Sequence, residues 1–563
     1  MLKRLRVMLV AVVVVAALLA AAAPALAVHR PTRVMIVVMD QMQPGYAQQF
    51  NMTNVKFLQN RGVNFPKAYV GDMASETVVS HNVMVSGMFP KHMGWADEAF
   101  RDVNDMFGYG EDAILETGFL GTTDYVKLIE EWDYAKLGDY LHAKFPDTIV
   151  ANVGEKGYQV ESMAASSSDF WVRMGSKKKT ADLADPTVVP WSGTYRGAGG
   201  NPPAYIKSDN RFLVSVGNNL APAEPNDYYG TKTDKPAWLY PEDGRYVKGP
   251  YEGHESGDIW VADATMKIME NEPWSGLFVT FSAIDKIGHM WGGGAVDTLA
   301  NYTWTPGTIF EQVHMPWAAK TADDQLGRLI AKLKELGQYQ DTLIVVTADH
   351  GSTYGRDGSY ATDVYDGANV GGWYAGTWYP GYVTPTTPNT NAGPVALKPL
   401  MDTGNVAFSY QSTSIETWLV NHSMAKKKEA AAVMETLPGV IATYVKNGDR
   451  YKLFSSDESM TGTERVWWAA HGQELVNTMC YWGSGDLVGL LADYTSYAAF
   501  GDHGGAQMDV QRIPMAWYMP GMKHAVNNSQ IRLVDMMPTI MKAMAITPTN
   551  TMDGMAYSLR LPK

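Results

Sequence analysis

Hydrophobic runs that fit buried strands alternate along most of this chain with amphipathic stretches that fit helices. The strand-like runs are Val34–Met39, Thr148–Asn152, Leu277–Ile284 and Leu343–Ala348. The helical stretches are Thr77–Ser86, Ile259–Met269 and Trp317–Leu336, the last of which carries its leucines on one face. Because strands that alternate with helices build parallel sheets, the pattern predicts an α/β fold with a mostly parallel central sheet and helices on both faces.

Two regions interrupt this alternation and are predicted as insertions, at about 170–255 and 352–475. Within the second insertion we predict helices at Ser414–His422 and Ala425–Thr436. After it, Leu487–Leu491 and Ile513–Tyr518 are predicted as further strands of the same central sheet. A chain of 563 residues is longer than one simple core needs, so we expect a single large domain over residues 28–563 that carries these insertions.

The first 27 residues have the three parts of a secretory signal. Basic residues Lys3, Arg4 and Arg6 precede an apolar run to Ala23, and small residues follow up to Ala27. We expect cleavage after Ala27 and a secreted or periplasmic protein. A single membrane anchor is the alternative, because the apolar run is long enough to span a bilayer. No later run has that length, so the mature chain is not expected to enter a membrane.

The composition is acidic, with 46 basic and 59 acidic residues and a formal net charge of -13. Removal of the three basic residues in the signal segment would make the mature chain more negative still. A strongly acidic surface disfavours binding to nucleic-acid duplexes. Cys480 is the only cysteine, so the sequence predicts an exported protein without an internal disulfide.

Aspartates follow three of the strand-like runs, and two of them have a histidine close behind. A further histidine lies in a glycine-flanked turn. These candidate metal ligands are Asp40, Asp285, His289, Asp349, His350 and His503. Each aspartate alone is also explained as a helix cap or a turn residue. Together they predict a metal site, because the carboxyl ends of parallel strands form the crevice in which α/β proteins bind ligands. Oxygen and imidazole ligands suit zinc, with manganese as an alternative.

The best candidate nucleophile is Thr77, at the predicted start of a helix. It is followed by His81 four residues later and Gly87 ten residues later, and then by Pro90 and Gly94. In this order and spacing the chain resembles the alkaline phosphatase superfamily, in particular its nucleotide pyrophosphatase/phosphodiesterase branch. The resemblance covers nearly the whole mature chain.

The resemblance implies an alkaline-phosphatase-like fold and two zinc ions. One ion would be held by Asp40, Thr77, Asp349 and His350, and the other by Asp285, His289 and His503. Thr77 would attack the phosphorus of a small phosphate ester, and water would then hydrolyse the phosphothreonine. The expected function is a secreted phosphoric ester hydrolase, with phosphodiesterase or nucleotide pyrophosphatase activity favoured and alkaline phosphomonoesterase as the alternative.

Two positions depart from the pattern of the resembled family. The diesterase branch has an Asn 21 residues after its nucleophile, where this chain has Glu98. A carboxylate there would repel phosphate unless it is protonated or points away, and Asn104 could supply the contact instead. Monoesterase relatives have a Lys followed two residues later by an Arg. Here Lys156 matches and Tyr158 does not, which weakens binding of a dianion.

Other functions have their own discriminating features. The sulfatase motif Cys/Ser-X-Pro-X-Arg does not surround Thr77, and the signal segment argues against a cytoplasmic phosphoglycerate mutase. Phosphonate hydrolysis would use the same two-zinc machinery. A non-catalytic, metal-stabilised binding protein would use the Tyr- and Trp-rich insertions to hold a ligand, with Glu98 marking the loss of catalysis. The remaining candidates are predicted as packed histidines (His81, His92 and His314) and as a turn residue (Asp493).

Overall fold

The computed structural model describes residues 28–173, 252–353, 393–497 and 501–563, with gaps at 96, 111, 118–119, 121, 164–166, 292 and 295–313. Between these ranges it describes only residues 205, 214–216, 239–241, 373–374 and 382–383. The predicted signal segment and most of residues 170–255 and 352–392 therefore lie outside the described residues.

Strands and helices are numbered in chain order. The strands are β1 (Arg33–Met39), β2 (Val63–Asn64), β3 (Ala99–Asp102), β4 (Ala113–Glu116), β5 (Ile149–Gly154), β6 (Phe170–Arg173), β7 (Val214–Val216), β8 (Leu239–Pro241), β9 (Trp274–Phe281), β10 (Thr342–Thr347), β11 (Trp373–Tyr374), β12 (Tyr382–Val383), β13 (Gly393–Pro394), β14 (Val406–Gln411), β15 (Ser414–Leu419), β16 (Val440–Asn447), β17 (Arg450–Ser456), β18 (Leu487–Leu491), β19 (Met515–Tyr518) and β20 (Ala525–Val526). The α-helices are α1 (Tyr46–Gln49), α2 (Thr53–Arg61), α3 (Thr77–Ser86), α4 (Pro90–Met93), α5 (Thr122–Glu130), α6 (Leu137–Lys144), α7 (Gly157–Ser162), α8 (Glu252–Asn271), α9 (Ala283–Trp291), α10 (His314–Glu335), α11 (Lys398–Met401), α12 (Met424–Met434), α13 (Gly462–Thr478), α14 (Met508–Gln511) and α15 (Met536–Met544).

An eight-stranded sheet lies at the centre, in the order β20-β2-β19-β10-β1-β9-β5-β6. The five strands from β10 to β6 are parallel neighbours, and β19 joins β10 antiparallel. Strands β1, β9 and β10 are almost entirely buried, as expected for a parallel sheet covered on both faces. The predicted α/β fold with a mostly parallel central sheet is confirmed.

The register of the parallel strands sets where the site forms. Val38 pairs with both Thr280 of β9 and Thr347 of β10. The three strands therefore end at the same level, and the residues that follow them meet at one edge of the sheet. Helices α8 and α10 pack on each other, α8 also packs on β9, and α3 packs against α7 and α15.

A second sheet is antiparallel and has five strands, in the order β14-β15-β18-β16-β17. The helix predicted at Ser414–His422 is wrong, because Ser414–Leu419 forms β15 between two antiparallel neighbours. Cross-strand pairing with β14 and β18 satisfies its backbone. Leu487–Leu491 is a strand as predicted, but it belongs to this second sheet, whereas Met515–Tyr518 joins the central one.

Two further expectations concern the membrane and the cysteine. Among the residues that the structure describes, no helix is both long and apolar enough to cross a bilayer. Cys480 is buried and is a free thiol.

Candidate metal centre and nucleophile

The three candidate carboxylate ligands follow three neighbouring strands of the central sheet. Asp40 directly follows β1, and Asp349 follows β10 after one residue. Asp285 is placed differently from its prediction at a strand end, because β9 stops at Phe281 and Asp285 lies in the first turn of α9. The parallel register nevertheless brings all three carboxylates to the same edge of the sheet.

One ligand group contains Asp40, Asp349 and His350, whose candidate ligand atoms all lie within 4.8 Å of one another. His350 Nε2 is 3.5 Å from Asp40 Oδ1 and 3.6 Å from Asp349 Oδ2. Thr77 Oγ1 lies 3.2 Å from the same nitrogen. The structure therefore brings together the four residues expected to hold the first ion.

A second group contains Asp285, His350 and His503, again within 4.8 Å of one another. His289 stands one helical turn after Asp285 on α9, with its Nε2 3.2 Å from Asp285 Oδ1. The His503 ring stacks on the His350 ring with 3.7 Å between centroids. The expected second set is thus assembled as well, and His350 lies between the two groups.

The chemistry of this donor set fits a cation. Asp40 Oδ1 and Asp349 Oδ2 are buried and accept no hydrogen bond within the described part of the chain, and Asp285 Oδ1 faces the ring nitrogens of His289 and His503 at 3.2 and 3.8 Å. Buried acceptors without a donor are costly, and divalent cations supply what they lack. Burial, and then the charges of Asp285 and Asp349, raise the pKa of Asp40 well above its usual value. A bound cation would remove this mutual repulsion.

Burial favours the neutral form of two histidines: His350, which belongs to both ligand groups, and His503, which belongs to the second. Burial lowers the pKa of His350 below the ordinary histidine value. Burial and the neighbouring rings of His350 and His289 lower the pKa of His503 further. A neutral imidazole keeps a lone pair for a metal ion, which a protonated ring cannot offer. Nδ1 of His350 lies 3.0 Å from the carbonyl oxygen of Gly351, so Nε2 faces the ligand group.

Backbone groups hold Asp349 in place. Its Oδ1 accepts hydrogen bonds from the backbone N–H of Gln41 (3.1 Å) and of His350 (3.0 Å). Gln41 reaches this position in the left-handed region, with φ of 66°, where a non-glycine residue is strained. Gly351 packs so closely against α14 that a Cβ would lie 2.0 Å from Asp509 O.

Thr77 begins α3, a helix in which every residue is buried. The preceding residue, Glu76, is extended and makes no side-chain cap, so the first N–H groups of α3 are left for other partners. His81 is packed as predicted. Its Nδ1 lies 2.7 Å from Thr77 O and its Nε2 2.9 Å from Thr280 Oγ1, so His81 joins α3 to β9.

Lys156 lies between the two ligand groups. Its Nζ donates to Asp40 Oδ2 at 2.7 Å and also contacts Asp285 Oδ2. Gln159, one turn further along α7, donates to Asp40 Oδ2 as well, and its Oε1 accepts from Ser282 Oγ. Sequence reasoning missed Gln159; its only signal is the spacing of three from Lys156 at a helix start.

The side chain of Glu98 reaches the start of α3. Its Oε1 accepts a hydrogen bond from the backbone N–H of Val78 at 3.3 Å. Burial raises the pKa of Glu98 to about 7, although the Val78 N–H and Lys156 act in the opposite direction. Asn104, the alternative phosphate contact, instead donates to Glu131 at the surface, 2.8 Å away.

Other predicted residues lie elsewhere. His92 is half exposed and pairs with Asp553 at 2.8 Å, so it is bound to the C-terminal segment and is less packed than expected. Asp493 lies in a turn after β18, as predicted. The side chains of His314 and Tyr158 lie outside the described part of the structure.

The fold and the ligand groups define the class of this protein: an alkaline-phosphatase-like α/β protein with buried Asp and His groups able to bind metal. The chain belongs to the type I phosphodiesterase / nucleotide pyrophosphatase family, whose family model matches residues 34–459. This match confirms the resemblance to that family.

This chain is also similar to two alkaline phosphatases, one in fold and the other in sequence. Wild-type alkaline phosphatase PafA shares the fold with a TM-score of 0.59 and 14% identity, over 92% of this chain and 97% of that one. Alkaline phosphatase PhoD of Zymomonas mobilis is 24% identical over 353 residues, which are 59% of this chain. The matched part is 56% of the PhoD sequence, so the chain spans little more than half the length of this relative.

Proposed function

We propose that this protein is a secreted, two-zinc phosphoric ester hydrolase that acts through Thr77, with phosphodiesters or nucleotide pyrophosphates as its substrates. The observation that carries the proposal is the position of Thr77. Its hydroxyl lies at the start of α3 and 3.2 Å from His350 Nε2, at the junction of the two ligand groups.

The residues that would hold the ions are the two sets already described, with Asp40, Thr77, Asp349 and His350 around one ion and Asp285, His289 and His503 around the other. Zinc at these positions would lower the pKa of the Thr77 hydroxyl and stabilise negative charge on the leaving oxygen. Mn²⁺ is the alternative ion for the same donors.

Thr77 performs the covalent step. Its Oγ attacks phosphorus, an O–P bond forms, and the bond from phosphorus to the leaving-group oxygen breaks. Water then cleaves the phosphothreonine and restores the hydroxyl. The N–H groups at the start of α3 have no partner within the helix and would favour the negative charge of phosphoryl oxygens.

Lys156 favours the alternative function, an alkaline phosphomonoesterase. Its ammonium lies 2.7 Å from Asp40 Oδ2, close enough to the ligand groups to meet a phosphate oxygen. Replacement by alanine should then reduce monoester turnover about tenfold or more, because a charge-assisted hydrogen bond is lost. Unchanged monoester turnover in Lys156→Ala would remove this role.

The test compares kcat/KM for p-nitrophenyl phosphate and bis-p-nitrophenyl phosphate on the zinc-loaded mature protein. Thr77→Ala should abolish turnover of both esters, while Thr77→Ser, which keeps a hydroxyl, should retain it. Zinc content measured on each variant separates loss of the nucleophile from loss of metal. Full activity in Thr77→Ala would refute the mechanism, and a zinc-loaded protein inactive across a broad ester panel would favour the non-catalytic binding protein.

The processing of the chain is part of the same proposal. Cleavage after Ala27 and a single catalytic domain over residues 28–563 remain predictions, as do the insertions. Mass measurement of the exported protein tests the cleavage site directly, because an uncut chain retains the 27-residue segment.

A further inference from the structure

Glu98 is held firmly beside the nucleophile. Its backbone N–H donates to Asp97 Oδ1 at 2.7 Å, and its carbonyl accepts from Thr117 N at 2.7 Å. Strand β3 begins at the next residue and pairs with β4 along its whole length. The side chain therefore starts from a fixed backbone, and its carboxylate ends at the N–H of Val78.

That N–H belongs to the second residue of α3, directly after Thr77. The first N–H groups of a helix have no partner within the helix, and they are the groups that bind phosphoryl oxygens. Glu98 thus places a negative oxygen where a negative phosphoryl oxygen has to bind. The two compete for the same donor and repel each other.

Resting on the function proposed above, we propose that Glu98 is a specificity-determining residue that disfavours phosphomonoester dianions relative to phosphodiester monoanions. A monoester carries two negative charges on its phosphoryl group at alkaline pH, and a diester carries one. A fixed carboxylate at the start of α3 therefore repels the monoester about twice as strongly.

The charges around Glu98 do not cancel this repulsion. Most described acidic groups near it are themselves buried carboxyls: Glu76, Asp97, Glu116, Asp285 and Asp502. Lys156 is the nearby cation, and it contacts Asp40 and Asp285. The family's second basic residue is replaced by Tyr158. Discrimination therefore falls to the carboxylate at Val78.

The size of the effect follows from charge and distance. One additional unit charge about 5 Å from a carboxylate, at an effective dielectric constant of about 20, changes binding by about a hundredfold, which salt reduces toward tenfold. We expect the monoester-to-diester ratio of kcat/KM to rise about ten- to a hundredfold when the charge of Glu98 is removed.

The experiment uses Glu98→Gln, whose amide oxygen can still accept from Val78 N. Glu131→Gln is the control, since it removes the same charge from a surface residue that accepts a hydrogen bond from Asn104. Both esters are assayed at about pH 9, where monoesters are dianions. The ratio should rise in Glu98→Gln and stay within about twofold of wild type in Glu131→Gln.

Inhibition by inorganic phosphate gives a second measurement that does not depend on the ester chosen. Its inhibition constant should fall about tenfold in Glu98→Gln, because phosphate is a dianion that binds the same N–H groups. An active wild type with an unchanged ester ratio and phosphate inhibition in Glu98→Gln would overturn the inference. A wild type that hydrolyses neither ester would instead overturn the proposed function. In that case, the affinity for phosphate can be measured by titration of zinc-loaded Thr77→Ala and of the double variant with Glu98→Gln, which would still test the role of Glu98.

Discussion

Removal of metal should lower the melting temperature of the protein, because the two ligand groups are formed only in the folded chain. Three carboxylates lie within the two ligand groups, and none is more than slightly exposed. Without cations, folding has to bury these charges against one another and against Lys156. Zinc binds this arrangement only when the chain is folded, so it stabilises the folded state.

The magnitude follows from mass action and chain length. With free zinc at about a hundred times the dissociation constant, each ion contributes about 2.7 kcal/mol, or about 5 kcal/mol for two ions. A chain of 563 residues has an entropy of unfolding of about 1.2 kcal/mol per kelvin. We therefore expect zinc to raise the melting temperature by about 4 to 5 °C.

The assay is calorimetry or thermal fluorescence on chelator-treated protein, with and without zinc, beside a measurement of bound metal. Asp349→Asn should lose about half of the shift, because it removes a ligand of one group. Asp493→Asn is the control, since Asp493 also follows a strand but lies in a turn outside both groups. The same shift in wild type and Asp349→Asn, or no shift in wild type, would refute the assignment of these ligands.

Two further predictions test the packing of Gly351 beside His350 and the ion pairs of Asp486 at the second sheet. Gly351→Ala should destabilise the fold by about 1 to 3 kcal/mol and lower kcat/KM about a hundredfold, because its Cβ would lie 2.0 Å from Asp509 O and would displace His350. Gly45→Ala, where a Cβ meets nothing within 4 Å, should change neither quantity, and an active, stable Gly351→Ala would contradict the packing argument. Burial opposes ionisation of Asp486, but His422, Lys427 and the Leu419 N–H outweigh it and lower the pKa of Asp486 to about 2. This depressed pKa stabilises the fold by about 2 kcal/mol above about pH 4, and the contribution is lost as pH falls through about 2. Denaturant titrations from neutral to acid pH should show Asp486→Asn less stable at neutral pH and with a weaker acid dependence; parallel curves for variant and wild type would contradict the ion pairs.

Particular elements show where sequence reasoning worked. The runs before Asp40 and Asp349 are hydrophobic at every position except Thr347, which is expected for strands covered on both faces, and both are central strands in the structure. Asp285 and His289 were identified as candidate ligands from their residue types, although the structure places both on α9 and not at the end of a strand.

The errors have an equally physical origin. Ser414–Leu419 is compatible with a helix when it is considered alone, and only its pairing with β14 and β18 makes it a strand. Leu487–Leu491 was recognised as a strand, but an apolar run does not say which sheet will accept it. Pairing partners depend on contacts between residues far apart in the chain, which local pattern does not encode.

The sequence by itself determined the α/β class, the identities of the candidate ligands and the position of Thr77, because each depends on a local pattern of hydrophobic and chemical groups. Only the tertiary structure decided that Glu98 meets the N–H of Val78, that Lys156 and Gln159 reach Asp40, and that Asn104 does not reach the site. These contacts join elements that are separate in sequence. Their distances follow from how the central sheet, the β3–β4 hairpin and α7 pack together, and no stretch of the chain specifies that packing alone.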